Sequence, residues 1–151
     1  MISNIFRVLS VLCVLAFAGT AQAEDRATAD EAVALVKKAV AVWKSDGKDK
    51  ALAAYLTPEF QPKDLFIFVE DMKGVMIQHA KKPPFAGKDL SQLKDSDGKL
   101  YVAEQIKLAG EKGQGWVEYK ASNPQTKKLE RKSSYVERVD DIVIGAGIYK
   151  Q

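Results

Sequence analysis

The sequence predicts an α+β domain in which helices lie over one antiparallel sheet of about five strands. Three observations predict this class. Apolar residues recur at helical spacing after residue 28, a run rich in β-forming residues begins near residue 65, and three more extended segments occupy residues 115–149. The 151 residues are enough for one domain with a core of its own.

A long N-terminal helix is predicted from its cap and its apolar stripe. Thr28 and Glu31 have the spacing of a capping box, and Asp46-Gly47 provides the stop signal. The apolar residues that recur at helical spacing between these signals are Val33, Val36, Val40 and Trp43. A shorter helix follows at Asp49–Leu56 and must end before Pro58.

Extended segments are predicted from alternation and from β-branched and aromatic content. They are Leu65–Val69, Val75–His79, Gly115–Lys120, Leu129–Val139 and Ile142–Tyr149. The first two form a hairpin around a turn at Glu70–Gly74. Turn-rich residues 80–99 and a helix at Tyr101–Lys112, stopped by Gly113, separate this hairpin from the last three segments.

Residues 1–23 have the pattern of a signal peptide. Arg7 precedes an apolar run from Val8 to Ala18, which is shorter than the roughly 20 residues that span a membrane. Ala21 and Ala23 then give the A-x-A arrangement of a cleavage site. We expect a periplasmic or secreted protein, with an uncleaved anchor as the alternative.

The remaining segment, residues 24–151, is predicted to be one domain that is stable by packing alone. The chain's single cysteine, Cys13, lies in the leader, so no disulfide is expected. The net charge of +3 comes from interspersed charges, which is too weak a bias to predict nucleic acid or an anionic membrane as a partner.

Catalytic, cofactor and metal signatures are missing from this sequence. With one histidine, a metal site would have to be built from carboxylates, and D-S-D-G at 95–98 falls short of a calcium loop. G-A-G at 145–147 has no following helix, so it is not a dinucleotide-binding fingerprint. The acidic pairs Glu70-Asp71 and Asp140-Asp141 fit turns better than catalytic carboxylates. We expect no metal, no cofactor and no enzymatic activity.

His79 is the chain's single histidine and closes the predicted hairpin, D-L-F-I-F-V-E-D-M-K-G-V-M-I-Q-H. Period-2 alternation places it on the same strand face as Val75 and Ile77. An imidazole on an apolar face is either a core residue with satisfied hydrogen bonds or one wall of a ligand pocket. The strand alone leaves both interpretations open.

Lys132 stands in K-S-S-Y, inside the fourth extended segment. Alternation gives it the face of Ser134 and Val136, with Tyr135 on the opposite face. On an open face the lysine is solvated. On a covered face its ammonium needs an anionic partner, which a ligand carboxylate can supply.

Aromatic and glycine residues give further candidates with two interpretations each. Trp116, in G-Q-G-W-V-E-Y, is either a core residue or a pocket wall. Phe68 shares a strand face with Phe66 and has the same two interpretations. Gly145 and Gly147 in the last segment indicate a close approach to the backbone, most simply by a packed helix.

These elements, in this order, resemble a known family. The hairpin is followed by P-P-F-A-G-K-D-L, D-S-D-G-K, G-Q-G-W-V-E-Y, N-P-Q-T-K-K, K-S-S-Y-V and G-A-G-I-Y. The series, over residues 64–149, resembles a single Cache domain of the small second type, the extracytoplasmic sensor of chemoreceptors and histidine kinases. The resemblance implies a PAS-like fold, with the long N-terminal helix packed on the sheet and a pocket between the sheet and residues 80–112.

The resemblance also implies a function and a set of ligand-binding residues. Domains of this type bind small carboxylates such as acetate, propionate, pyruvate or lactate. His79 and Lys132 match the positions that contact the ligand carboxylate, and Trp116 matches an apolar wall. Phe68 and Tyr135 complete the predicted lining, although alternation separates Tyr135 from Lys132 unless a bulge intervenes.

The predicted function is a binding or sensing domain without a signalling output of its own, similar to the stand-alone exported members of the family. A membrane sensor kinase, chemoreceptor or transporter is the expected partner, and the expected state is a monomer or a weak homodimer through the N-terminal helix. Q-H-A at 78–80 departs from the A-H-P of the family, which leaves the ligand open. The alternative function is a protein–protein interaction or dimerisation module with a vestigial pocket.

Overall fold

The computed structural model describes residues 26–150 and confirms the α+β class. The predicted signal peptide, residues 1–23, lies outside the described residues. The elements in chain order are α1 (Ala29–Asp46), α2 (Lys48–Ala54), β1 (Phe68–Asp71), β2 (Met76–His79), α3 (Tyr101–Lys112), β3 (Gln114–Ser122), β4 (Leu129–Val139) and β5 (Ile142–Lys150). Short 3-10 helices lie at Pro58–Phe60 and Pro83–Phe85.

One antiparallel sheet of five strands forms the centre of the fold, in the order β2-β1-β5-β4-β3. The last strand, β5, lies in the middle and joins the first hairpin to the meander of β3, β4 and β5. Because side chains alternate along each strand, the sheet has two faces. Different helices cover them, and we refer to them as the α1 face and the α3 face.

The α1 face carries an apolar core. Thr28 Oγ1 accepts a hydrogen bond from the Glu31 N–H at 3.3 Å, and the Glu31 carboxylate accepts one from the Thr28 N–H at 2.7 Å, which confirms the predicted capping box. The buried residues of α1 are Ala32, Leu35, Val36, Ala39 and Val40. They form one cluster with Ile142, Ile144 and Ala146 of β5.

The α3 face is covered by α3 and by the loop between β2 and α3. Val102 and Ala109 of α3 cluster with Val136 and Val143 of the sheet. The helix ends at Gly113, as predicted, in a left-handed conformation whose N–H donates to the Ala109 carbonyl. None of the helices within residues 26–150 is long and apolar enough to cross a membrane.

The first hairpin differs from the predicted one in its bounds. β1 begins at Phe68 instead of Leu65 and continues through Asp71, because its whole length pairs with β5. The turn follows Asp71, whose Oδ1 accepts hydrogen bonds from the backbone N–H groups of Lys73 at 2.8 Å and Val75 at 2.9 Å. Strand pairing therefore overrides the local turn signal.

A β-bulge in β2 changes which side chains reach the α3 face. The pairs across the hairpin are Phe68 with His79, Val69 with Gln78, and Glu70 with Met76. Ile77 is the extra residue, and it packs against the core of the α1 face. Met76 and His79 lie on the α3 face. The prediction that alternation puts His79 and Ile77 on one face is wrong for this reason.

Candidate functional site

A cavity lies on the α3 face, between the sheet, α3 and the loop after β2. Its volume is about 430 Å³ with the open mouth included, and the centre of a water molecule can reach about 30 Å³ of it. Its aromatic lining residues are Phe66, Phe68, Phe85, Tyr101, Tyr119 and Tyr149. The nitrogen-bearing side chains that line it are His79, Lys82, Gln105 and Lys132.

Lys132 is a buried amine in this cavity and is 3% exposed. Its Nζ lies 4.2 Å from the ring centroid of Phe66 and 4.9 Å from that of Tyr149. Among the described residues it forms no ion pair with a carboxylate. Burial lowers the pKa of Lys132 to about 7, with a further lowering from Lys82 that Asp64 opposes. An anion that entered the cavity would restore the ammonium.

His79 offers a neutral N–H donor. Its Nδ1 accepts hydrogen bonds from the backbone N–H groups of Lys82 at 3.0 Å and Lys81 at 3.3 Å, so the proton of the neutral ring is on Nε2. Burial lowers the pKa of His79 to about 3, and the nearby charges of Lys132 and Lys82 add to this effect. His79 is therefore a hydrogen-bond donor and not a second cation at neutral pH.

Gln105 is a cavity residue that the sequence pattern did not single out. It lines the cavity from α3 and is 1% exposed, and its Nε2 has no hydrogen-bond partner among residues 26–150. Unpaired buried amide donors are uncommon and destabilising. The one signal in the sequence was its position on the same side of the predicted helix as Tyr101.

Tyrosines supply the rest of the polar lining, and two of their hydroxyls already have partners. The Tyr119 hydroxyl and Ser134 Oγ are 3.0 Å apart, and the Tyr149 hydroxyl donates to the Ser122 carbonyl at 3.3 Å. The rings of Tyr101 and Tyr119 stack with centroids 4.2 Å apart. Burial raises the pKa of Tyr101 to about 12, so it stays neutral. The nitrogen donors and the Tyr101 hydroxyl are thus the groups left for a ligand.

Gly145 and Gly147 make room for two cavity side chains. A Cβ added to Gly145 would lie 2.2 Å from Cζ of Phe68, and one added to Gly147 would lie 2.5 Å from Cε of Lys132. The close approach expected at these glycines is confirmed. The approaching side chains are Phe68 at Gly145 and both Ser134 and Lys132 at Gly147, and not a packed helix.

Trp116 and Tyr135 do not line this cavity. They are opposite each other on β3 and β4, with ring centroids 5.5 Å apart, and Tyr135 belongs to the core of the α1 face. The register of β4 runs from Lys132 to Tyr135 without a bulge, so alternation sends these side chains to opposite faces. The placement of Trp116 and Tyr135 in the pocket is corrected accordingly, while His79, Lys132 and Phe68 are brought together.

Glu70 is a buried carboxyl near the cavity tyrosines. It is 0% exposed, and neither of its carboxylate oxygens has a hydrogen-bond partner in the part of the chain that the structure describes. Burial raises the pKa of Glu70 to about 8, and Asp71 adds to the effect. Its predicted place in a turn is wrong, because β1 pairs with a strand on each side at this residue.

The site contains donors and aromatic walls but, within residues 26–150, no group of three or more acidic, histidine or cysteine side chains that could hold a metal ion. A sequence model of the Cache domain, dCache_2, matches residues 35–151. The chain belongs to the Cache domain family. Cache domains are extracytoplasmic sensor domains.

Two relatives of this Cache domain are a chemotaxis protein and a sensor histidine kinase. The chain is 30% identical over 88 residues to the methyl-accepting chemotaxis protein McpP of Pseudomonas putida. This match covers 57% of this chain and 16% of that protein. It is 35% identical over 100 residues to the sensor histidine kinase MctS of Rhizobium johnstonii. This second match covers 65% of this chain and 22% of that protein. The chain therefore spans less than a quarter of the length of these relatives.

Solved sensor domains share the fold. A methyl-accepting chemotaxis protein from Vibrio parahaemolyticus has a TM-score of 0.70 and 28% identity over 80% of this chain and 86% of its own. A periplasmic sensor domain of a chemotaxis protein has a TM-score of 0.67 and 25% identity over 81% and 90%. A Cache chemosensory domain studied for carboxylic acid recognition has a TM-score of 0.62 and 25% identity over 81% and 88%.

Proposed function

We propose that this Cache domain binds a short-chain monocarboxylate in the cavity of the α3 face, with Lys132 and His79 at the carboxylate. The observation that carries the proposal is the buried Lys132, which has aromatic neighbours and no carboxylate partner among the described residues. A buried ammonium is stable when an anion pairs with it. A ligand carboxylate can be that anion.

The two nitrogen groups have different roles in this proposal. Lys132 supplies the positive charge and charge-assisted hydrogen bonds. His79 supplies one neutral donor, because its Nδ1 is occupied by backbone N–H groups and its pKa is lowered to about 3. A neutral imidazole beside the ammonium avoids the repulsion between two buried cations.

The size of the cavity favours a small acid. The centre of a water molecule can reach about 30 Å³, and one water position takes roughly 10–15 Å³ by the same measure. This space suits a ligand of a few non-hydrogen atoms, such as acetate, propionate, pyruvate or lactate. The rings of Phe66 and Phe68 would cover its carbon chain.

The relatives support a sensing role outside the cytoplasm. They include a chemoreceptor, a sensor histidine kinase and a sensor domain studied for carboxylic acid recognition. Residues 1–23 add a predicted signal peptide. We therefore place the protein in the periplasm or outside the cell, with a membrane sensor kinase, chemoreceptor or transporter as the partner that responds to the ligand.

The alternative, a dimerisation module with a vestigial pocket, has less support. It requires apolar surface on α1 beyond what its own sheet covers. The large hydrophobic residues that are exposed in residues 26–150 are Leu56, Trp116 and Leu129, and none of them belongs to α1. The apolar residues of α1 are instead part of the core.

Calorimetric titration of the purified protein with acetate, propionate, pyruvate and lactate tests the proposal. We expect binding of at least one acid and a higher melting temperature in its presence. Lys132→Met removes the ammonium and keeps most of the side chain's bulk, and we expect it to weaken binding about a hundredfold or more. Lys128→Met, at an exposed lysine, is the matched control with unchanged affinity.

Two results would contradict the proposal. The first is the absence of binding and of any shift in melting temperature with all four acids at millimolar concentration. The second is a Lys132→Met variant that folds and binds as tightly as the wild-type protein, which would exclude the ammonium as the contact for the carboxylate.

A further inference from the structure

We infer that Gln105 makes the cavity selective for monocarboxylates with a second oxygen on the carbon next to the carboxylate, namely 2-oxo and 2-hydroxy acids. The inference rests on the proposed function of the cavity. It concerns which members of the ligand class bind, and it depends on a side chain opposite the proposed carboxylate contacts.

The donors of the cavity lie on two different walls. Lys132 on β4 and His79 on β2 belong to the sheet, whereas Gln105 belongs to α3, which covers the sheet. A ligand carboxylate held at the sheet wall receives its hydrogen bonds from Lys132 and His79. A donor on the helix wall needs an acceptor elsewhere on the ligand.

No protein group within residues 26–150 supplies that acceptor. Gln105 is 1% exposed, and its Nε2 has no hydrogen-bond partner among the described residues. The hydroxyls of Tyr119 and Tyr149 are already paired with Ser134 and the Ser122 carbonyl. Gln105 therefore brings to the lining of the cavity an amide donor that the described residues leave unpaired, and a bound ligand can pair with it or leave it unpaired.

The chemistry of the second carbon of the ligand decides between these outcomes. A 2-oxo group accepts a hydrogen bond from Nε2, and a 2-hydroxyl can accept from Nε2 or donate to Oε1. The methylene of propionate can do neither and would bury the donor unpaired. Sites built to bind a ligand oxygen reject the analogue that lacks it.

Glu70 offers a competing explanation for the unpaired amide. Its two carboxyl oxygens are also buried without partners, but it does not line the cavity. A Gln105 that served only as a neighbour of Glu70 would affect stability and leave ligand selectivity unchanged. The ratio of two ligand affinities therefore separates the two roles.

The test compares pyruvate, lactate and propionate, which have the same number of carbon atoms, by calorimetric titration of the full chain. We expect pyruvate or lactate to bind the wild-type protein on the order of tenfold more tightly than propionate. Gln105→Leu should abolish this preference by weakening the oxygen-bearing acid while propionate binding is kept. Gln105→Met, with a more flexible apolar side chain, provides the same readout if the leucine variant does not fold.

Three outcomes would overturn the inference. Equal binding of the three acids to the wild-type protein overturns the inference alone, because carboxylate binding itself would be intact. A preference that survives in a folded Gln105 variant, even one with a lower melting temperature, assigns the residue to a structural role. Failure of all three acids to bind overturns the proposed function together with the inference.

Discussion

The two faces of the sheet use the same strands in different ways. The α1 face contains paired buried polar groups, such as the Tyr55 hydroxyl, which donates to the Ala39 carbonyl at 2.6 Å. On the α3 face Lys132 is buried without a carboxylate partner, and Glu70 and Gln105 have unpaired atoms among the described residues. Most of the buried side-chain atoms without a hydrogen-bond partner in residues 26–150 therefore belong to the α3 face, and the remaining one is Asp64 Oδ2.

This difference indicates a division between stability and binding. An unpaired buried donor or acceptor costs about 1–3 kcal/mol, so the α3 face lowers the stability of the ligand-free protein. The apolar core of the α1 face offsets that cost. Because successive strand residues point to opposite faces, substitutions at neighbouring positions can test the two contributions separately.

The largest expected effect is the loss of stability in Ile144→Ala. Ile144 is 0% exposed in the core of the α1 face, and its truncation leaves a cavity that costs about 2–5 kcal/mol of unfolding free energy. The affinity of the folded protein for a short carboxylate should stay within about twofold, since the site is on the other face. Urea denaturation and calorimetric titration measure the two quantities.

Met76→Ala is the matched substitution on the α3 face, at a residue that is 4% exposed and lines the cavity. Met76→Ala should lower the unfolding free energy less than Ile144→Ala does, because the Met76 side chain already borders a cavity. Unlike Ile144→Ala, it should also change the carboxylate affinity. The division between the faces would be disproved if Ile144→Ala and Met76→Ala altered the affinity equally.

A smaller stability effect, of opposite sign, is expected for Glu70→Gln. Burial raises the pKa of Glu70 to about 8 in the folded protein from 4.5, so between these pH values only the unfolded chain loses the proton. Stability therefore falls as the pH rises from about 4.5 to 8. Glutamine removes this loss and should raise the unfolding free energy by about 3 kcal/mol at pH 7 and by little at pH 5.

Urea denaturation of Glu70→Gln at pH 5 and pH 7 measures this effect. Glu111→Gln is the control, because the Glu111 side chain is 59% exposed and its replacement should change stability equally little at both pH values. A stability gain for Glu70→Gln that is the same at pH 5 and pH 7 would show that Glu70 is not a buried acid with a raised pKa.

The smallest expected effect is the pH dependence of carboxylate affinity. Lys132 has a pKa lowered to about 7 in the free protein, so above this pH binding must be accompanied by uptake of a proton. The affinity should fall up to about tenfold, or about 1.4 kcal/mol, for each pH unit above 7, and it should be level between pH 6 and 7. The groups that act on Lys132 or line the cavity beside it are Lys82, Asp64, His79, Tyr119 and Tyr149.

Calorimetry at pH 6, 7 and 8 in buffers of different ionisation enthalpy reports both the affinity and the proton uptake. His79 does not contribute in this range because its pKa is lowered to about 3. Lys132→Arg keeps its charge throughout, so its affinity should change much less with pH than that of the wild-type protein. A wild-type affinity that is constant from pH 6 to 8 would exclude a neutral Lys132 in the free protein.

Much of the fold was predictable because its signals are local. The capping box at Thr28, the left-handed stop at Gly113 and the bounds of β4, Leu129–Val139, each depend on a few neighbouring residues. The start of β1 at Phe68 was not predictable in this way, because pairing with β5 determines it. Because β5 is far from Phe68 in the sequence, the residues around Phe68 carry no signal for this pairing.

The site was predictable only in part. Alternation gave Lys132 its face correctly, but His79 reaches the same face through a bulge that no periodicity shows. Trp116 was assigned to the pocket through the family resemblance, but it lies opposite Tyr135 on β3 and β4 instead. Gln105 was missed because helical spacing identifies a packed face without showing which of its polar atoms lack a partner.

The floor of the cavity depends on two residues that have no side chain. A methyl group at Gly145 would displace the Phe68 side chain, and one at Gly147 would displace Ser134 or Lys132. Under the proposed function, a substitution in β5 can therefore change the acid that the cavity accepts without any substitution of Lys132 or His79.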